Sequence, residues 1–209
     1  MIEILYRDEF LLAAVKPAGI PVHETKDPKR ENFTGLVQKE LSLPYIRTVN
    51  RLDLETSGIV LFGLTEERNK EIDEILKNAD KYYLALVEGN PPDEFRIESF
   101  LKDGNKRVST VRSGGKKAIT EFKTLERLND RGYSLVSAHL ITGRRHQIRI
   151  HLFENGFPIL GDKVYTNRKT PLANRSMLHA YELHFQNLFG ENIQIKAKPP
   201  NDFLKFLNR

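Results

Sequence analysis

The chain has 209 residues, with 33 Lys and Arg against 28 Asp and Glu, six His and no Cys, for a formal net charge of +5. That length can bury a full core without staples, and the missing thiols exclude disulfides and cysteine metal sites, which suits a reducing compartment such as the cytoplasm. No apolar run reaches the length of a membrane span, residues 1–8 do not read as a signal peptide, and the mild basic excess favours a polyanionic partner.

In chain order, residues 10–15 form a short apolar strand stopped by Lys16-Pro17-Ala18-Gly19, and Pro17, Gly19 and Pro21 make the next stretch a loop. Phe33, Leu36, Val37 and Leu41 recur at helical spacing, which predicts a helix ended by Pro44. The run from Gly58 to Leu64 reads as a buried strand bounded by glycines. Thr65 is a candidate N-cap with Glu66 and Glu67 in the first turn, above an apolar stripe of Ile72, Ile75, Leu76 and Ala79. Residues 83–87 predict a strand broken by Asn90-Pro91-Pro92-Asp93. Residues 118–125 and 133–141 predict two more, joined by the turn Asn129-Asp130-Arg131-Gly132. Thr142 is a candidate cap for a helix through Arg149, with Ile148 and Leu152 facing the core and Gly156 as its stop. A last strand over 193–197 and a short helix over 203–207 close the chain. Strands separated by hairpin-length turns, without a regular βαβ beat, predict an α+β fold. We expect a mixed, largely antiparallel central sheet flanked by helices and loops around a central cleft, as one catalytic domain over 1–209.

Two basic clusters stand out. Lys102, Lys106, Arg107, Arg112, Lys116 and Lys117 face only Asp103 in a segment kept supple by Gly104, Gly114 and Gly115. Arg144, Arg145, His146 and Arg149 form the second. Both suit phosphate contacts, although a solvated loop would look similar to the first. Serine-hydrolase, P-loop and dinucleotide-binding motifs are absent, and the histidines show no metal-binding spacing. His146 and His151 read as hydrogen-bonding or RNA-contacting groups. In Asn50-Arg51-Leu52-Asp53-Leu54-Glu55-Thr56-Ser57-Gly58, one carboxylate sits in a polar turn between apolar runs. A loop carried by rigid elements is a common place for a catalytic group, but spacing alone equally describes a turn-capping aspartate.

The same turn resembles the H-R-L-D-x-x-T-S-G signature of RluA-type pseudouridine synthases. The resemblance continues in order through Lys81-Tyr82-Tyr83-Leu84-Ala85-Leu86-Val87-Glu88-Gly89, Gly115-Lys116-Lys117-Ala118-Ile119-Thr120 and Thr142-Gly143-Arg144-Arg145-His146-Gln147-Ile148-Arg149-Ile150-His151. It then covers Gly156-Phe157-Pro158-Ile159-Leu160-Gly161-Asp162-Lys163-Val164-Tyr165 and Leu178-His179-Ala180 with Leu183 and Phe185. Six blocks in one order span nearly the whole chain.

The resemblance implies an RNA isomerase that needs no cofactor or metal, acts on ribosomal or transfer RNA, and works as a monomer. It implies Asp53 as a nucleophile attacking either the uracil ring or the ribose C1′, which divides one hard step into two. It implies Tyr83 against the uracil and Arg149 paired with Asp53, where a guanidinium favours the ionised carboxylate. Arg145 is expected one turn before Arg149 on the same helix side. Arg51, Asn50, Arg144, Arg145, His146, Gln147, Lys116 and Lys117 are the candidate RNA-binding residues. A uridine that leaves its stack costs least in a loop or single strand. Three features depart from the pattern. Asn50 stands where the family places His and cannot titrate, Thr166 stands where Gly often follows Tyr165, and no preceding S4-type module is expected. Asn50 also supports the rival reading, a non-catalytic RNA-binding or RNA-chaperone domain that keeps the fold.

Overall fold

The computed structural model describes residues 1–25, 27, 29–166 and 173–207. In chain order its elements are β1 (Ile4–Arg7), β2 (Leu11–Lys16), α1 (Phe33–Glu40), β3 (Arg47–Thr48), β4 (Ser57–Gly63), α2 (Asn69–Asn78), β5 (Asp80–Glu88), β6 (Glu94–Asp103) and β7 (Val108–Thr110). They continue with β8 (Lys116–Leu128), β9 (Tyr133–Leu140), α3 (Gln147–Glu154), β10 (Leu178–Gln186), β11 (Asn192–Lys196) and α4 (Asn201–Leu204). The chain forms two compact units, Met1–Asp80 with Ala180–Arg209 and Lys81–His179.

In the first unit the strand order is β1-β2-β4-β10, with β3 added to β4 and β11 to β10. The β1/β2, β2/β4, β3/β4 and β10/β11 pairings are antiparallel. Every residue of β4 is buried, which is why its sequence is a continuous apolar run and not an alternation. Leu11, Ala13, Ile59, Leu61, Leu183, Phe185 and Ile195 form the core with Ile72 and Ala79 of the α2 stripe. The helix boundaries differ from expectation. Asn32 caps α1 by accepting from Gly35 N at 2.9 Å, and the helix stops at Glu40, before Pro44, where Ser42 turns left-handed. Thr65 does not cap α2; its hydroxyl goes to Glu67, and the helix begins at Asn69. The side-chain bond competes with the backbone for the same residue.

In the second unit the order is β5-β9-β8-β6-β7, all antiparallel. The strands β6 and β7 are not among the elements expected from the sequence. In β6, Glu94, Arg96 and Glu98 are exposed while Phe95, Ile97 and Ser99 are half-buried. That is a clear period of two once the pairing is known. The outward charges meet cross-strand partners, Glu94 with Lys123 at 3.2 Å and Arg96 with Glu121 at 2.7 Å. Residues 102–110 are therefore the end of β6, its turn and β7, an irregular stretch over 111–115 follows, and β8 begins at Lys116. Beneath this segment Leu101, Val108 and Ala118 pack with Ile150 of α3 and Tyr165.

Candidate active site

In the first unit, the turn carrying Asp53 is held from all around that residue. Thr56 N donates to Asp53 O at 3.1 Å, and Gly19 N donates to Leu54 O at 2.8 Å. Lys16 is fully buried, and its ammonium donates to Pro17 O at 2.8 Å, Ile20 O at 2.9 Å and Leu54 O at 3.4 Å. One lysine thus ties the 17–20 loop to the 53–56 turn, and its three protons all find acceptors. Downstream, Gly58 has φ 116°, and a Cβ there would lie 2.2 Å from Ala180 O. Any other residue would push β10 away. Asp53 itself is half-buried, and Arg51 is exposed with no ion pair among the described residues.

Asn50 is half-buried, and its side chain is bonded to backbone. Its amide donates to Ile59 O at 3.1 Å, and its carbonyl oxygen accepts from Leu61 N at 2.7 Å. Val49 N reaches Leu61 O at 2.8 Å just before it. The Asn50 side chain therefore continues the pairing with β4 after β3 has ended, one donor and one acceptor matching one carbonyl and one amide.

In the second unit, Tyr83 lies on β5 opposite Ala138 of β9, half-buried. Tyr82 faces the other way and stacks on His139 at 4.5 Å between ring centroids. The alternation expected for a strand holds here.

The 142–149 segment departs most from the sequence reading. The helix starts at Gln147, not at Thr142, and is entered through His146 in a left-handed conformation with φ 53°. Gln147 is 2 % exposed and spends its whole amide internally. Its Nε2 donates to Ile119 O and Thr120 Oγ1, both at 2.9 Å, while Oε1 accepts from Thr142 Oγ1 at 2.8 Å and Arg144 N at 3.0 Å. Gln147 thus organises the loop that enters α3. Arg145 precedes the helix, so it is not one turn behind Arg149 on it. Its guanidinium goes to the backbone carbonyls of Gly104 at 2.9 Å and Lys106 at 3.2 Å. Arg144 is exposed, with Nε on Lys117 O at 3.1 Å; Lys117 pairs with Glu98 at 2.6 Å, and Lys116 is exposed. His146 Nδ1 lies 3.1 Å from the Tyr165 hydroxyl.

Arg149 is buried, and its Nε and Nη2 grip the two oxygens of Asp162 at 2.7 and 2.9 Å. The bidentate geometry is the strong form of this contact. Asp162 also accepts from Val164 N at 2.9 Å and Tyr165 N at 3.2 Å. Burial works to raise the Asp162 carboxyl pKa, but the Arg149 guanidinium and the two amides outweigh it and hold it below its usual range. Arg149 further lies 5.6 Å from the centre of the Tyr165 ring. His151 is also a core group, not an RNA contact. Ser99 and Thr120 hydroxyls lie 2.9 Å from its two ring nitrogens, and burial depresses it to about 4.

Comparison with known proteins places this geometry. Residues 11–154 match the family model described as RNA pseudouridylate synthase. The chain belongs to that family. It is 33 % identical to the Ribosomal large subunit pseudouridine synthase D of Neisseria meningitidis serogroup B over 99 % of its own length and 60 % of the relative's. It is 30 % identical to the Dual-specificity RNA pseudouridine synthase RluA of Haemophilus influenzae, over 94 % of this chain and 93 % of that one. Among solved structures, Human RNA Pseudouridylate Synthase Domain Containing 4 shares the fold, with a TM-score of 0.80 at 22 % identity over 98 % of this chain and 91 % of that one. The chain thus spans about 60 % of the first of these relatives.

Two residues of this family member carry structural weight that sequence reading did not assign. Asp162 lay inside a matched block but had no role. Lys16 ends an apolar strand in the sequence, and a lysine followed by Pro-x-Gly gives no sign that its ammonium is turned inward.

Proposed function

We propose that the protein is an RNA pseudouridine synthase acting on uridines of ribosomal or transfer RNA, and so working in the cytoplasm. The observation that carries the proposal is the Asp53 turn, where Lys16, Asn50 and Gly58 anchor the surrounding backbone within a chain of the synthase family. In this reading Asp53 is the nucleophile, and its covalent attack lets the C1′–N1 bond break. The base turns, the C1′–C5 bond forms, the bond to Asp53 breaks to return the free carboxylate, the proton on C5 is lost and N1 gains one, so the reaction is an isomerisation with no redox change. Tyr83 stacks on the uracil and serves the C5 proton. Arg149 supplies positive charge that favours the ionised nucleophile. Arg51, exposed beside Asp53, takes the space the base vacates or a flanking phosphate.

In this reading Asn50 serves the structure of the turn and not proton transfer. Its amide makes two backbone hydrogen bonds, a structural role that serves an enzyme and an RNA chaperone alike. The test is to incubate the protein with ribosomal and transfer RNA from cells lacking its gene and to measure pseudouridine. The expected result is gain at one or a few sites. Tight RNA binding with no gain at any site would favour the chaperone reading instead.

A further inference from the structure

The β6–β7 hairpin and the start of β8 carry Lys102, Lys106, Arg107, Arg112 and Lys116, all exposed and none with an ion pair among the described residues. Such a charged hairpin, loosely hinged, would present its cations in many arrangements. This one is latched. Val108 N donates to the Tyr165 hydroxyl at 3.0 Å, and Thr110 Oγ1 donates to Glu154 Oε2 at 2.5 Å. Both latches hold the returning strand. The tip is held by a different group. Gly104 N and Arg107 O close the turn at 3.1 Å, and the outward carbonyls of Gly104, Asn105 and Lys106 converge on the Arg145 guanidinium at 2.9, 3.4 and 3.2 Å. Asp103 lies 3.9 Å from the same group. A planar fork of charged donors suits such a cluster, because one rigid group meets several acceptors at once. In the family pattern T-G-R-x-H-Q-I-R-x-H, Arg145 occupies the unspecified position, so the resemblance gives it no task.

We propose that Arg145 is a positioning residue and not a phosphate ligand. It clamps the hairpin tip to the entrance of α3, so that Lys106 and Arg107 meet an RNA backbone at a fixed distance from Arg149. The proposal rests on the synthase reading for its substrate, but the clamp itself is a property of the second unit. Preorganising the arm lowers the ordering cost of binding and leaves chemistry alone. The effect therefore falls on KM for RNA and not on kcat.

The experiment compares Arg145→Ala, Arg145→Lys, the Lys106→Ala/Arg107→Ala pair and the triple variant. Each is assayed for pseudouridine formation and RNA binding over a range of salt, and for amide exchange at residues 104–108. Arg145→Ala is expected to raise KM about fivefold with kcat nearly unchanged, and to speed exchange at the tip about tenfold. Arg145→Lys, a point charge without the fork, restores part of the loss. The Lys106/Arg107 pair lowers the salt slope by about 1.4, the value for two single-strand phosphate contacts, and leaves exchange unchanged. The triple variant loses less than the product of its parts, because a loosened arm without its charges has little left to lose. Unchanged tip exchange in Arg145→Ala, or fully multiplicative losses in the triple variant, would overturn the clamp. If the wild type forms no pseudouridine at all, the synthase reading fails, while exchange and RNA binding still decide the clamp.

Discussion

The turn around Asp53 and the segment from 142 to 149 are held in opposite ways. Around Asp53 the anchors act on backbone. Lys16 takes Leu54 O, Gly19 N takes the same carbonyl, and Asn50 lends its amide to β4. In the second segment the side chains themselves are committed. Gln147 is fully used inside the unit, Arg145 is folded onto the hairpin tip, and Arg149 is locked on Asp162. A turn that presents one side chain is stabilised through its neighbours' main chain. A segment rich in charge is stabilised by bonding that charge to acceptors. The lesson is that a cluster of arginines and amides in a sequence is not a count of ligand-binding groups.

The difference gives a ranking of expected losses. Asp162→Ala takes the two-pronged carboxylate away from a buried guanidinium, and breaking such a pair costs about 3–5 kcal/mol, so the denaturation midpoint should fall sharply. A midpoint within error of wild type would show that Arg149 is not fixed by this partner. Acid should also reach this pair. A carboxyl held below its unfolded pKa, near 4, contributes above that value and loses its contribution as pH falls through the lower folded one.

His151 has the next largest effect. Its folded pKa of about 4 lies below the unfolded value near 6.5. The unfolded chain therefore binds the extra proton between those values, and stability declines as pH falls from about 6.5 to about 4, by on the order of 3 kcal/mol. His151→Gln should flatten that slope in a urea titration across pH, and an unaltered slope would move its cause elsewhere.

Asn50→Ala removes two hydrogen bonds to β4 and should cost about 1–3 kcal/mol, with activity falling through the displaced turn. A variant as stable as wild type would return Asn50 to the substrate surface. Lys116→Ala is the smallest change. It should leave stability within about 0.5 kcal/mol and lower the salt slope of RNA binding by about 0.7 if it meets one phosphate.

Much of this was legible in the chain. The glycine-bounded run of β4, the α2 stripe and the β8–β9 hairpin follow from apolar spacing and turn residues that act locally. The strands β6 and β7 were not read, because charges on an outward face resemble a loop until a partner strand gives them cross-strand mates. The helix starts at Asn69 and Gln147 were missed for a shared reason. Thr65 and Thr142 have the chemistry of N-caps, but their hydroxyls go to Glu67 and Gln147 side chains. The resemblance pointed to Asp53, Tyr83 and Arg149. It gives no role to Lys16, or to Asp162 within its matched block; their partners Leu54 and Arg149 lie 38 and 13 residues away.

The central claim is that the turn exists to present Asp53 for chemistry, and the most direct measurement is single-turnover pseudouridine formation by Asp53→Asn beside its thermal stability. The substitution keeps the shape and removes the nucleophilic charge. The account predicts no pseudouridine above the no-enzyme background, with RNA binding and melting temperature close to wild type. Product formation by the folded variant at a rate near that of wild type would contradict it.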